Sequence, residues 1–493
     1  MTWVEPDSSD QVKYDPQEVF EAGELNHHIS NTAYPIAHAI TWKPYRVRLE
    51  QHLQTVVKSF ENLTDISLYT HIPFCEKRCY FCEYTVVGKD ELSETKKYMD
   101  YLRKELENYS NILGRKRILG FDIGGGTPSF VDSKLLANHI DDVSRFFDLD
   151  KDTEISIETT PKIASDDIAK LKDYRSSGIK RISMGIQVTQ PDLLKILGRS
   201  ANGLDHIFKA TENIRKVNFN KFNIDLMYGF ADQTLESWES TLKVAMQLDP
   251  DYITLYRMRY KLTRISDQAS RIELSKIRQM ADLAKNFLSA NGYYANPGKN
   301  TYSIINNDTG TSSYLTRRVI QGFPYLGLGL GAQTFTDTTI SYNSGSVGKN
   351  LNPYFKKIDD GLLPIQDLYN LPLAHMMSKM IAVSFYFGEI NLESFYNKFH
   401  IRLEDAYTDS VNYALEHGLM EYTNSINGLE ILGNDHGTNR SQCLSLTPKG
   451  AKHFNGTIAL FFASSIQKYL IERDPTKAQD MAINQKLAVK ISA

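Results

Sequence analysis

Tyr69-Thr70-His71-Ile72-Pro73-Phe74-Cys75-Glu76-Lys77-Arg78-Cys79-Tyr80-Phe81-Cys82 is the stretch around which the rest of the chain is arranged. It holds three of the four cysteines within eight residues, while the fourth, Cys443, lies far away. Three thiolates on one short loop can hold three irons of a [4Fe–4S] cluster and leave the fourth iron to a small chelating ligand; clusters that only carry electrons are normally closed by four cysteines. The competing reading is a structural zinc site, which needs a fourth Cys or His. His71 is the nearby candidate, on what reads as a strand before the loop. Spacing alone leaves both readings open.

Working outward, strand-like runs occur at 66–71, 118–123, 154–158, 181–186, 222–227 and 252–256, with amphipathic helical patterns between them, for example at 95–113, 165–177, 204–217 and 235–248. Six such units imply a parallel sheet with right-handed crossovers. The pattern does not choose between an open doubly wound sheet and a partial barrel. In either case ligands bind at the carboxyl ends of the strands. There lie a glycine-rich turn (Gly124-Gly125-Gly126-Thr127-Pro128), Glu158, Gln187, Arg199 and Asp225. The turn allows a close approach of backbone to ligand and is read as offering N–H groups. Polar groups at adjacent strand ends read together as a pocket.

With 493 residues, the chain suggests a large domain plus a smaller one. Its 41% hydrophobic and 23% charged content is that of a globular protein. A net charge of −3 gives no basic field for nucleic acid. No apolar run reaches the length of a membrane span. The first residues lack a basic start and an apolar signal core, and the cysteines are clustered, so a cytoplasmic, reducing location is expected.

The motif CxxxCxxC set in YxHIPFC…CYFC resembles the radical S-adenosylmethionine (SAM) superfamily, and within it the oxygen-independent coproporphyrinogen III oxidase-like family. Gly124–Pro128, Ile155-Ser156-Ile157-Glu158, Ser183-Met184-Gly185-Ile186-Gln187, Asn223-Ile224-Asp225-Leu226-Met227-Tyr228-Gly229 and Leu326-Gly327-Leu328-Gly329-Leu330-Gly331-Ala332 follow in that family's order. The resemblance implies a partial (β/α)6 barrel and a [4Fe–4S] cluster on Cys75, Cys79 and Cys82. It further implies SAM as cofactor, a flavodoxin- or ferredoxin-type electron donor and a small-molecule substrate. Tyr69, Gly125 and Glu158 resemble the family's contacts to the cluster-bound SAM. Phe81, Gly126, Thr127, Gln187, Arg199 and Asp225 resemble contacts to a second SAM, as in the methyltransferase branch. Residues 34–37 resemble an N-terminal extension that partly covers the active site; the alternative is a packed leader with no catalytic part.

Expected boundaries are an N-terminal extension at 1–65 with a helix near 45–60, the barrel and its substrate-side continuation at 66–350, and a linker at 351–370. A small winged-helix-like α+β domain follows at 371–472, then a loose tail at 473–493. The domain carries a two-stranded wing at 420–432 and 443–447. Cys443 is expected to be a buried structural thiol. Residues 458–471 are apolar on one face, which suits packing on their own domain or a partner contact.

Three activities remain. The first transfers a methyl or methylene group from a second SAM to carbon of a planar small molecule. The second is coproporphyrinogen III decarboxylation, and the third a non-enzymatic haem chaperone. Coproporphyrinogen oxidases follow the third cysteine with Gly-Cys, where this chain has Glu83 and Tyr84; the chaperone's His-Asn…Tyr-Trp motif is absent from Pro297-Gly298-Lys299-Asn300-Thr301-Tyr302. Glu83 and Tyr84 are therefore candidates for general acid–base or hydrogen-donor work. Arg257 and Arg259, flanking Met258 and next to Tyr256 and Tyr260, are candidates to hold substrate carboxylates. Arg259 and Gln333 stand where those oxidases have apolar residues.

Overall fold

The computed structural model describes residues 3–26, 34–260, 263–306, 308–346, 348–424 and 442–473. Seven strands run through the first half: β1 (Asp65–Ile72), β2 (Arg117–Gly125), β3 (Asp148–Leu149), β4 (Ile155–Thr159), β5 (Ile179–Gln187), β6 (Lys221–Tyr228) and β7 (Tyr252–Arg257). Apart from β3, a two-residue side branch on β2, they pair in parallel in chain order. A doubly wound sheet reverses its strand order at a switch point. This sheet does not reverse, so the topology is that of the barrel.

Beyond β7 the sheet adds β8 (Thr301–Ser303), antiparallel. On the far side of β1 it adds β9 (Tyr325–Leu328), parallel, then β10 (Gln333–Phe335), β11 (Thr339–Asn343) and β12 (Ile365–Asn370), antiparallel. Among the described residues β8 and β12 are its two edges, so the barrel stays open.

The outer helices form where periodicity and caps agree. In Thr95–Leu113 the buried side is Tyr98, Leu102, Leu106 and Tyr109, one face at three- and four-residue spacing. Leu235–Leu248 starts on Thr234, whose hydroxyl accepts from Ser237 N, and stops at Asp249 in the left-handed region. The helix expected at 165–177 is two helices, Pro161–Asp166 and Ile168–Ser176, because Asp167 leaves helical geometry to cap the second. The helix expected near 45–60 begins only at His52: Arg46 and Val47 are drawn into extended pairing with β12.

The C-terminal region holds helices Leu373–Ser384, Leu392–Phe399, Thr408–Glu416, Pro448–Lys452, Phe454–Ala459 and Ser464–Ile471. Among the described residues its sheet has three strands where the sequence suggested two. β13 (Glu389–Asn391) and β14 (Met420–Asn424) flank β15 (Gln442–Leu446). The rest of the expected wing, 425–441, and the tail beyond Arg473 lie outside the described residues. Cys443 is fully buried, and Ile458, Phe461, Ile466 and Leu470 are core, so the apolar face packs within its own chain.

Of the two readings of the N-terminal segment, its packing follows the packed leader. Instead of residues 34–37 reaching the cysteine cavity, it closes on the C-terminal helices. Helix Pro16–Leu25 crosses Phe454–Ala459 at Gly23 and Gly456, where a Cβ on Gly23 would lie 2.6 Å from Asn455 O. Trp42 Nε1 donates to His375 Nδ1 at 2.9 Å, and the Tyr34 hydroxyl lies 2.9 Å from the same nitrogen. Nε2 therefore carries the proton and donates to Asp10, also at 2.9 Å. Buried aromatic groups and a buried polar network outweigh any approach to the barrel mouth.

Candidate functional site

The three clustered cysteines line one cavity of about 770 Å³ at the carboxyl ends of the parallel strands. Their loop is held from both sides. Gly126 N donates to Ile72 O and Thr127 N to Phe74 O, each at 2.8 Å. Tyr80 N donates to Leu197 O, and Arg264 N donates to Tyr80 O. The Gly turn is thus a clamp. Its Gly126 and Thr127 N–H groups, expected to face a ligand, are committed to the cysteine loop, and Gly125 N goes to Glu158 Oε2 at 3.3 Å. Only glycine fits: a Cβ on Gly126 would lie 2.6 Å from Phe74 O and 2.9 Å from Cys75 Sγ.

His71 takes no place among the thiols. Its Nε2 donates to Thr85 O at 2.8 Å, and Nδ1 lies 3.2 Å from the Tyr69 hydroxyl. Burial depresses its pKa to about 4, so the ring is neutral and serves as a brace between β1 and the end of the cysteine loop. This removes the His that a zinc reading needed.

The remaining candidates arrive on successive strands. Phe81 packs edge-on to Phe230, with ring centroids 6.0 Å apart. Glu158, at the end of β4, is pushed up to about 8 by burial and by the charges of Asp225 and Asp122. Gln187 ends β5 with φ +72, unusual for a residue with a side chain, and its Oε1 is buried without a hydrogen-bond partner among the described residues. Arg199 donates to Cys79 Sγ at 3.2 Å and to Gly185 O. Asp225 accepts from Ser183 and Asn223 at 3.1 and 2.9 Å, and burial raises its pKa. All of these line the cavity except Tyr69, which stands behind it against Gly124 and Glu158.

Two candidates that the sequence gave separate roles are joined: Arg259 donates to Glu83 at 2.8 Å. Tyr84 is 64% exposed toward the cavity, with Tyr256 also accessible at 38%. Arg257 forms no ion pair among the described residues. Sequence reasoning missed Ser183 and Asn223, which orient Asp225, and Thr85, which fixes His71. Ser183 and Thr85 meet their partners 42 and 14 positions away, so no local pattern marks them, whereas Asn223 lies two positions before Asp225 and could have been found from the strand's alternation.

No three or more His, Cys, Asp or Glu groups among the described residues converge on a single ion. A cluster does not require that, since each cysteine binds a different iron and the thiols need only face one space. The clamped glycine cradle, the Gln187 oxygen without a partner among the described residues and the cavity-facing carboxylates Glu158 and Asp225 fit a cluster with a polar ligand beside it. Burial pushes the Cys75 thiol up to about 12, countered in part by the Thr127 hydroxyl at 3.4 Å, so a bound cation is what would hold it as thiolate.

A singly wound open barrel with three loop cysteines at its mouth defines a class, and residues 69–245 match the model of the radical SAM superfamily. The chain carries a radical SAM domain, of a superfamily that uses a [4Fe–4S] cluster and SAM. Within that class it is similar to the heme chaperone HemW of Buchnera aphidicola subsp. Schizaphis graminum, 36% identical over 40% of this chain and 51% of that protein. It is also similar to the oxygen-independent coproporphyrinogen III oxidase of Escherichia coli K12, 27% identical over 60% of this chain and 66% of that protein. The chain thus spans about half to two thirds of the length of these relatives. The solved structure of coproporphyrinogen III oxidase (HemN) from Escherichia coli, described as a radical SAM enzyme, superposes with a TM-score of 0.70 at 20% identity. That match covers 87% of this chain and 96% of the other, and shows the shared fold. Among the described residues no helix is long and apolar enough to cross a membrane.

Proposed function

We propose that the chain is a radical SAM enzyme that binds two SAM molecules and transfers a methyl or methylene group to carbon of a planar small molecule. The observation that carries it is the concentration, in one cavity, of three thiols and the polar groups of neighbouring strand ends, which the family resemblance divides into contacts to a first and a second SAM. When bound, the cluster and SAM supply a 5′-deoxyadenosyl radical by one-electron cleavage of a carbon–sulfur bond, and a second SAM supplies the carbon.

The residues then divide by place. Cys75, Cys79 and Cys82 hold the cluster. Gly125 and Glu158 meet the first SAM, with Tyr69 supporting Glu158 from behind. Phe81, Gly126, Thr127, Gln187, Arg199 and Asp225 border the second. A protonated Glu158 becomes a carboxylate when a cation is placed beside it, pairing charge with charge at the cavity wall. Glu83 holds or moves a proton at the rim, with Arg259 fixing its carboxylate. Tyr84 projects beside it as a hydrogen donor, and Arg257 remains an available cation.

The test uses anaerobically purified, cluster-reconstituted and reduced protein with excess SAM, with products read by mass spectrometry. A panel of planar aromatic compounds, coproporphyrinogen III and haem is supplied in turn. 5′-Deoxyadenosine and S-adenosylhomocysteine together, with a substrate that gains carbon, are expected. Carbon dioxide from coproporphyrinogen, or tight haem binding without SAM cleavage, overturns the proposal.

A further inference from the structure

We propose that a small acidic electron-transfer protein docks on the outer side of the cysteine loop, at Tyr80, Lys77 and Arg264, and delivers its electron there. This rests on the radical SAM reading above and names the partner class of that site.

The cysteine loop is a thin wall. Cys75, Cys79, Phe81 and Cys82 line the cavity, and Lys77 stands at its lip, whereas Tyr80 and Arg264 are not part of the lining. Tyr80 packs against the apolar group of Leu193, Leu194, Leu197 and Ile265 and stays partly exposed. It therefore sits one residue from a thiol and faces away from the space that SAM and substrate fill. An electron that arrives at Tyr80 does not have to cross that space.

The platform is fixed in place. The backbone of Tyr80 is stitched on one side to Leu197 O at 3.1 Å and on the other to Arg264 N at 2.8 Å. Against its ring lies Gly198, at φ +73, where a Cβ would come within 3.2 Å of a ring carbon. A partner thus meets a surface that needs little rearrangement.

Charge gives this face its sign. Lys77 Nζ and the Arg264 guanidinium carbon each lie 5.8 Å from the centre of the Tyr80 ring, and both residues are exposed. Neither forms an ion pair among the described residues. On the segments that meet here, 76–80, 192–198 and 264–267, Lys77, Arg78, Lys195 and Arg264 outnumber Glu76, Asp192 and Asp267. Glu76 is moreover paired with Lys162. On a chain of net charge −3 this face is locally positive, which complements and steers an acidic partner. Electron-transfer encounters are small, and aromatic and Arg side chains are favoured in such contacts, so a face of this size suffices. The donor gives up one electron and the cluster takes it; no bond is made or broken and no proton moves.

The experiment mixes photoreduced bacterial flavodoxin, an acidic protein, with the full-length reconstituted protein in an anaerobic stopped-flow instrument and reads bleaching of the cluster. Light-generated deazaflavin radical, small and uncharged, is the parallel reductant. Lys77→Glu/Arg264→Glu is expected to slow reduction by flavodoxin about tenfold at low ionic strength. Added salt should slow the wild type and not the variant. Deazaflavin should reduce the wild type and the variant at the same rate. Lys58→Glu, which reverses an exposed cation on the helix His52–Phe60, should behave as wild type with flavodoxin. An unchanged flavodoxin rate, an equal loss with both reductants, or an equal loss in Lys58→Glu overturns the docking face. If the double variant does not fold, carbodiimide coupling of flavodoxin to the wild type decides. A cross-link at Lys77 or Lys195 supports the face, and coupling only at other lysines, or none, overturns it. SAM cleavage driven by deazaflavin judges the radical chemistry separately, so the two readings fail independently.

Discussion

The Arg259 guanidinium holds the Glu83 carboxylate at 2.8 Å, tying the segment after β7 to the residue that follows the third cysteine. The two side chains are 57% and 32% exposed, so water competes for both. Exposed pairs of this kind contribute about 0–1 kcal/mol. In a double-mutant cycle with Glu83→Gln and Arg259→Gln, urea unfolding should therefore report coupling below about 1 kcal/mol. Turnover should respond differently, falling by about 10²–10⁴ in Glu83→Gln if that carboxylate moves a proton. A full-rate Glu83→Gln enzyme assigns the pair to shaping the rim.

The clamp on the cysteine loop makes a sharp prediction about metal content. Gly126→Ala puts a methyl group against Phe74 O and Cys75 Sγ, and neither the backbone nor the thiol can move away without disturbing the loop. Iron per protein, measured after reconstitution, should fall severalfold, with far-UV circular dichroism unchanged. Gly203→Ala, whose Cβ meets nothing within 4 Å, should load normally.

His71 is predicted to brace and not to ligate. His71→Ala leaves Thr85 O without its donor, at a cost of about 1–3 kcal/mol in unfolding free energy. Protein that remains folded should still take up iron to the wild-type stoichiometry. A variant that loses metal in proportion to the missing imidazole would return His71 to the ligand set.

Two carboxylates give stability opposite pH dependence. Glu158 is raised from 4.5 to about 8, chiefly by burial, so it stays protonated in the folded state while the unfolded chain ionises. Its unfavourable contribution grows from pH 4.5 to about 8 and is constant above. Glu158→Gln should raise the melting temperature at pH 8 and leave it little changed at pH 4. In Asp10, burial alone would raise the pKa, but hydrogen bonds from His375 and Tyr45 lower it from 3.8 to about 2. Its stabilisation is present above pH 3.8 and is lost as pH falls toward 2. Asp10→Asn should therefore destabilise at pH 7 and converge with wild type near pH 2.

Much of the site was legible before any coordinates. Cysteine spacing is local, and the loop needs only eight residues to present three thiols. Strand periodicity located the six parallel strands closely, because apolar residues recur at alternate positions, as at Phe222, Ile224 and Leu226. Glu158 and Gln187 could be placed at strand ends, and Asp225 within its strand, for the same reason.

What the sequence by itself determined is therefore the local chemistry: three thiols on a loop, βα units, and polar residues at their carboxyl ends. Only the tertiary structure decided the direction of winding, the use of the Gly126 and Thr127 N–H groups on the cysteine loop, and the pairing of Glu83 with Arg259. It also decided that the N-terminal segment closes on His375. Each of these depends on contacts between residues tens to hundreds of positions apart. Hydrophobic periodicity reports which face of an element is buried, and it carries no information about which distant group is buried against it.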